Sequence, residues 1–332
     1  MSLTLEQKEF RRRGVSASDI PAICGLSPWK SPIRVWEEKV QEPEEDEEAT
    51  VDQERGNELE DALLNWMGRR TETKIFHNTG KKAITFQNPK HELVLATPDG
   101  LAFDGELPRD FSELREKASE AVCVAEVKSP GPFTARDWIS PLEVSDGVPE
   151  YYLPQVQWQM GALEKQEGLV GPLIGRDLWV YRLSFNPEMF DLLLAKTEKF
   201  WEYVIKQEPP PIDGSKDFAA YLAKTHPRHS TENLRQSNSE IDVAAVKLQE
   251  ARDAIKSMEE VTRFQENTIK EFIGDSSGVS GHWGKILWRL SKDRESWDAN
   301  GMAEWFRQNK PEALEKFRKV SPGSRPFKPY FK

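Results

Sequence analysis

Apolar residues recur every third or fourth position in some stretches of the chain and at alternate positions in others, and the change of period separates helical from strand-bearing regions. Asp19 to Cys24 reads as a short helix that Ser16 or Ser18 can cap, ending at Gly25 and the Pro28 turn. Ser31 caps a second helix with Pro32 at its first position, where a missing N–H costs nothing, and Ile33, Trp36 and Val40 form its buried face. Gln41 to Gln53 is acidic and reads as a solvated loop, since such a charge run does not pack. From Arg55 the spacing of Leu59, Leu63, Trp66 and Met67 is helical again. Lys74 to Phe86, Glu92 to Ala96 and Leu101 to Phe103 then predict an antiparallel meander, punctuated by Gly80, Asn88-Pro89 and Asp99-Gly100. Gly105 to Glu120 reads as a loop or short surface helix. Ala121 to Lys128 is apolar until its last residues, which predicts a central strand ending in charge.

A helix follows from Pro149 to about Lys165, a strand from Leu178 to Leu183, and a long amphipathic helix from Pro187 to Lys206. Pro209-Pro210-Pro211 reads as a stiff exit linker. The pattern predicts an α/β core over residues 1–212, a mixed central sheet flanked by helices, and a mainly helical extension with a small β element over 213–332. In the extension, Ile241, Ala245, Leu248, Ala251, Ile255, Met258 and Val261 step by three and four through a helix expected to fold back near Asn267 and end at Gly274. That predicts a helical hairpin packed on the body, with an oligomerisation coil as the alternative. Ser277 to Lys332 holds twelve bases and six acids, with Trp283, Trp288, Trp297 and Trp305 among them. A β-hairpin with a tryptophan core explains the aromatics, and so does DNA contact by phosphate pairing and base stacking.

Composition changes this picture at one point. The chain has 332 residues, 46 basic and 56 acidic, for a formal charge of −10, which counts against binding nucleic acid by bulk charge. Residues 41–61, however, carry eleven acids and one base, Arg55, and account for the whole excess. The Glu42 to Glu48 part is expected to lie away from any DNA path. Cys24 and Cys123 stand in apolar surroundings with no signal peptide legible before them, and read as reduced core thiols of an intracellular protein. Two cysteines cannot supply the four thiolates of an iron–sulfur cluster or a Cys-only zinc site. No apolar stretch reaches the ~18 residues of a membrane span.

Residues two apart on a strand share a face, so Glu126 and Lys128 emerge side by side from the end of a buried strand, a poor place for charge unless it opens into a site. Asp99, in the turn Thr97-Pro98-Asp99-Gly100, could stand beside Glu126 on a neighbouring strand. Two converging carboxylates can hold a hard divalent cation, Mg²⁺ above all, which keeps waters for a substrate phosphate. A lysine beside them can orient or deprotonate the attacking water, which completes a minimal apparatus for phosphodiester hydrolysis. Glu37-Glu38-Lys39 has the same spacing but reads as a solvated ion pair on a surface helix.

Pro98-Asp99 followed by Glu126-Val127-Lys128 resembles the PD-(D/E)xK nuclease signature. Five segments, Arg13 to Ile20, Arg55 to Glu60, Ala96 to Leu101, Glu126 to Pro130 and Tyr151 to Met160, resemble the lambda exonuclease / YqaJ-type viral recombinase family in order and spacing, over about residues 10–210. The resemblance implies a restriction-endonuclease-like core and metal binding by Asp99, Glu126 and the main-chain carbonyl of Val127. It makes Lys128 the activator of the attacking water, Glu60 an outer carboxylate and Gln155 the holder of the water or scissile phosphate. Glu58 and Gln157 are alternatives one helical register away. It also implies a 5′-phosphate pocket of Arg13, Ser18 and Thr97, with Arg11 and Arg12 as neighbours in a cluster that reads equally as a generic phosphate-contacting patch and Ser18 as a plain N-cap.

The activity so implied is Mg²⁺-dependent 5′-to-3′ exonuclease digestion of linear double-stranded DNA, with Mn²⁺ as a substitute cofactor. It leaves 3′ single strands for a single-strand annealing protein in phage-type recombination. A homotrimeric ring around DNA and the cytoplasm of a bacterial host, for a protein of phage or prophage origin without membrane attachment, belong to the same implication. A structure-selective or nicking endonuclease on the same core, and a catalytically inactive DNA-end-binding protein, are the alternatives. The extension resembles that of some YqaJ-type phage exonucleases and carries no motif chemistry.

Overall fold

The computed structural model describes residues 5–42, 50–144, 147–230, 234–319 and 323–331. It forms two compact units, Met1–Thr225 and His226–Lys332. The first unit opens with helix α1 (Leu5–Arg11), which the hydrophobic pattern does not announce, and a short strand β1 (Val15–Ser16). Helices α2 (Ile20–Ile23) and α3 (Pro32–Val40) follow, with Asp19 at the N-terminus of α2 and Ser31-Pro32 at that of α3, though the Ser31 hydroxyl donates to Asp217 rather than capping its helix. Helix α4 (Val51–Thr71) begins inside the acidic stretch rather than at Arg55. Thr50 sets that start: its hydroxyl accepts from the Gln53 N–H at 3.3 Å while the Gln53 amide oxygen accepts from the Thr50 N–H at 2.9 Å. This reciprocal cap satisfies two backbone donors at a helix end that is otherwise only solvated. Residues 43–49, and with them most of the acidic loop from Glu42 to Glu48, lie outside the described residues.

Strands β2 (Lys74–His77), β3 (Phe86–Gln87), β4 (Val94–Ala96) and β5 (Gly100–Phe103) do not form one meander. β2 pairs with β5, whereas β4 pairs with β3 and, in parallel, with β1 in a separate three-stranded sheet. The chain leaves the first sheet at buried Asn78, whose side chain donates to the Ile84 and Pro98 carbonyls and accepts from the Ile84 N–H. Helix α5 (Phe111–Lys117) occupies the polar interlude before the central strand β6 (Cys123–Lys128).

Helix α6 (Leu153–Ala162) then leads into β7 (Glu167–Ile174), β8 (Asp177–Leu178) and β9 (Tyr181–Ser184). The central sheet runs β2-β5-β6-β7-β8, with β9 also on β7, and it is mixed because β6 and β7 are parallel. β7 escapes the sequence pattern because Gly168, Gly171 and Pro172 are poor strand formers. The glycines are there for packing: a Cβ on Gly171 would lie 2.4 Å from the Met67 methyl on α4, and one on Gly168 would lie 3.0 Å from Val156 on α6.

The strand alternation decides which helix each residue meets. Cys123, Ala125 and Val127 pack against Leu63, Leu64 and Met67 of α4, while Val124 packs against Val156 and Met160 of α6. Glu126 shares the face of Val124 and so points toward α6. Helices α7 (Pro187–Lys206) and α8 (Lys216–Thr225) join α2 and α3 around Trp158, whose indole N–H donates to the Val15 and Leu95 carbonyls. The unit therefore continues past residue 212: Asp217 accepts from the Ser31 N–H and hydroxyl, both at 3.0 Å, and Phe218 is buried. Cys24 and Cys123 are free thiols, and burial pushes the Cys123 thiol up to about 11.

In the second unit, α9 (Ser239–Ile273) is one unbroken helix, followed by the hairpin β10 (Gly278–Gly281) and β11 (Gly284–Leu287) and by α10 (Ala299–Asn309) and α11 (Pro311–Glu315). The expected fold-back near Asn267 does not occur. Gln265, Glu266 and Asn267 are polar but contain no helix breaker, and the helix ends at Gly274, whose positive φ (52°) suits a residue without a side chain. Trp283, Trp288, Trp297 and Trp305 are all exposed, so the hairpin has no tryptophan core. Among the described residues no helix is long and apolar enough to cross a membrane.

Candidate active site

The turn that carries Asp99 is fastened on both sides. Asn78 donates from its backbone to the Asp99 carbonyl at 2.8 Å and from its side chain to the Pro98 carbonyl at 3.0 Å. The Asp99 carboxylate accepts from the Val127 N–H at 2.8 Å, across the β5–β6 pair. Gly100 follows because nothing larger fits: a Cβ there would meet Ile75 at 2.7 Å and Leu64 of α4 at 3.2 Å. That close approach brings Glu60, half-buried on α4, into a hydrogen bond with Asp99.

Glu126 is 2% exposed and fully engaged. One oxygen accepts from the Lys128 ammonium and from Gln155, both at 2.5 Å, and the other accepts from Gln159 at 2.7 Å. Lys128 also lies 5.1 Å above the Tyr152 ring. Gln155 and Gln159 are one turn apart on α6 and so present to the same strand. Gln157 faces elsewhere, donating to the Ser184 carbonyl and accepting from the Asn186 N–H. Glu58 is exposed and away from the pocket, so register favours Glu60 and Gln155 over their neighbours.

The electrostatics follow from crowding. Burial, then the charge of Glu126, holds the Asp99 carboxyl well above the usual carboxylate range, and burial raises Glu60 as well. The pair retains a proton that an isolated carboxylate would release. Burial pulls Lys128 down, but Glu126 and Asp99 outweigh it, and the ammonium is held above its ordinary value. Glu60, Asp99, Val127 and Lys128 line an open pocket of about 750 Å³, with Trp29, Arg55 and Phe133 at its walls. Arg55 donates to the Ser129 carbonyl at 2.6 Å and so ties α4 to the segment leaving β6; its Nε is buried with no partner among the described residues.

The predicted phosphate-binding residues are brought together only in part. Arg11, at the end of α1, donates to the Ser18 hydroxyl at 2.6 Å and to Ser16 at 2.7 Å. Arg13 is exposed and makes no such contact, so of the three consecutive arginines it is Arg11 that reaches Ser18. Thr97 shares a 2.8 Å hydroxyl contact with Thr85. Ser18 and Thr97 each stand two residues beyond the parallel pair Ser16–Leu95, at the same end of the small sheet. Beneath Arg11, Asp19 is buried and accepts from the Ser16 hydroxyl at 2.7 Å and from Lys30 and Lys39, both at 2.9 Å. Lys39 is therefore a buried partner of Asp19, not a member of a solvated Glu37-Glu38-Lys39 pair, because α3 packs that face inward.

Sequence reasoning missed Gln159, Tyr152, Arg55 and the Asp19 cluster. Gln159 carried a usable signal, standing four residues after Gln155 on a predicted helix. The ion cluster carried none, since it joins residues 11 and 20 positions apart.

A mixed sheet that carries Pro-Asp at the start of one strand and Glu-x-Lys at the end of its neighbour, with a carboxylate from α4 and glutamines from α6, defines the PD-(D/E)xK-related nuclease superfamily. Residues 6–166, just under half of the chain, match the YqaJ-like viral recombinase domain. It is 26% identical over 290 residues to the uncharacterized protein YqaJ of Bacillus subtilis (strain 168), covering 84% of this chain and 81% of that protein. Among solved structures, it is similar to an alkaline exonuclease from Laribacter hongkongensis, with TM-score 0.46 and 16% identity over 68% of this chain and 99% of the other. It is also similar to a phage-related exonuclease from Haemophilus somnus 129PT, with TM-score 0.39 and 11% identity over 58% and 96% of the two chains.

Proposed function

We propose that this protein is a Mg²⁺-dependent exonuclease that degrades the 5′-ended strand of linear duplex DNA from its end, leaving 3′ single strands for an annealing partner. The observation that carries the reading is the convergence of Glu60, Asp99, Val127 and Lys128 on one open pocket, with Glu126 and its two glutamines behind them. The donors fit a hard dication. Asp99, Glu126 and the Val127 carbonyl offer oxygen only, and Mg²⁺ or Mn²⁺ keeps waters in place of a complete protein cage. Among the described residues no group of three or more His, Cys, Asp or Glu side chains is arranged to hold a metal ion. When bound, the ion polarises the scissile phosphate. Lys128 then donates to the oxygens on which negative charge builds, and Gln155 orients the attacking water or the phosphate. Gln159 holds the Glu126 carboxylate in place for both.

The test is digestion of end-labelled linear duplex with Mg²⁺. The 5′ label is expected first and closed circles are expected to resist. Release of the 3′ label first contradicts the proposed polarity, and equal cutting of 5′-hydroxyl ends and closed circles would favour an endonuclease.

Arg11 and Ser18 give the same reading a finer test. A charge-assisted hydrogen bond is worth about 1.5–3 kcal/mol. Arg11→Ala is therefore expected to reduce the preference for 5′-phosphate over 5′-hydroxyl ends by roughly 10- to 100-fold, with Arg13→Ala within about twofold of wild type. Competition between the two end types measures this, and the reverse ranking would remove Arg11 from the pocket.

A further inference from the structure

We propose that helix α9 binds a second copy of itself, antiparallel, as a two-stranded coiled coil. Ile241, Leu248, Ile255 and Ile269 stand at one position of a seven-residue repeat, with Thr262 between the last two. Ala244, Ala251, Met258 and Phe272 stand three residues on, with Gln265 completing the series. A strict seven-residue repeat keeps one stripe turned toward a like helix over the whole length, about 50 Å for 35 residues. Much of the stripe is open to solvent: Ile241 is 56% exposed, Ile255 59%, Met258 61% and Phe272 77%, with Leu248 and Ile269 half-buried between them.

Charge selects both the occupant and its direction. In a parallel pair Lys247 would face Arg252 of the other copy on both sides of the stripe, like against like. In an antiparallel pair centred between Lys256 and Ser257, Arg252 faces Glu259 of the other copy, and symmetry makes the contact twice. Neither Arg252 nor Glu259 makes an ion pair among the described residues. The same register sets Ile255 against Met258 at the centre and Ile241 against Phe272 at each end. A second copy therefore meets both the apolar stripe and the charges flanking it.

Sedimentation velocity of the full chain over a concentration series tests this. The assembly formed by the rest of the protein is expected to double in mass as concentration rises. Ile255→Lys with Met258→Lys should abolish the doubling. These side chains are exposed, so the helical circular dichroism of the double variant should match wild type. Arg252→Glu should weaken the doubling at least tenfold, and adding Glu259→Arg should restore it. No doubling up to about 100 μM, a doubling that survives the double lysine variant, or one strengthened by Arg252→Glu would each overturn the proposal.

Discussion

Lys128→Ala is expected to lower the rate of linear-duplex digestion by roughly a thousandfold, within the range seen when a group positioned at the reacting atoms is lost. DNA-end affinity without divalent ions should stay within a few-fold of wild type. The argument rests on where the ammonium is. It lines the pocket, touches Glu126 at 2.5 Å and sits over Tyr152, and its charge is held by two neighbouring carboxylates. Glu126 keeps both glutamines in the variant, so its carboxylate stays oriented. Lys128→Arg should not rescue, because a planar guanidinium cannot replace a compact ammonium over the Tyr152 ring and against one carboxylate oxygen. Single-turnover digestion alongside a binding titration separates the two quantities. An unaltered digestion rate would remove Lys128 from the chemistry.

The second large effect concerns stability. Asp19→Ala leaves Lys39, itself buried, with only the Arg11 carbonyl, and strips Lys30 of its inner partner. Removing one member of a buried ion cluster costs about 3–5 kcal/mol, or roughly 10 °C in Tm for a unit of this size. The sign of the pH dependence follows. Burial alone would raise the Asp19 carboxyl, but Lys30, Lys39 and Arg11 overcome it and hold it well below the usual range. A carboxyl depressed in the folded state contributes stability fully above its unfolded value of about 3.9, and that contribution is lost as pH falls toward the folded value. Below about pH 4, wild-type Tm should therefore fall more steeply than that of Asp19→Ala. Thermal melts across that range decide it; parallel curves with equal Tm would show that the cluster adds no stability.

What could be read from the sequence followed the range of the interactions. The strand from Ala121 to Lys128 and the turn at Asp99 were legible because alternation and turn residues act over a few positions. Glu60 and Gln155 were legible only through the family resemblance, with Glu58 and Gln157 as alternatives, and Gln159 could have followed from its spacing of four from Gln155. β7 was hidden because its glycines answer to Met67 and Val156 on two different helices, contacts no local window contains. Arg11 rather than Arg13 meets Ser18 because α1 ends at Arg11 and the chain then turns, a boundary without a periodic signal. The continuity of α9 through Asn267 was misread for the opposite reason, since polar residues on an exposed helix do not interrupt it.

The parallel register of β6 and β7 joins Cys123 to Glu167, and α6 lies within the crossover. Loop closure of that length is a late and slow event in folding compared with hairpin formation. A nascent chain that has emerged only through Lys128 already carries Glu60, Asp99, Glu126 and the lysine, yet has no element to receive the Glu126 carboxylate. The candidate site thus comes together only with the crossover, when α6 brings Gln155 and Gln159 to Glu126.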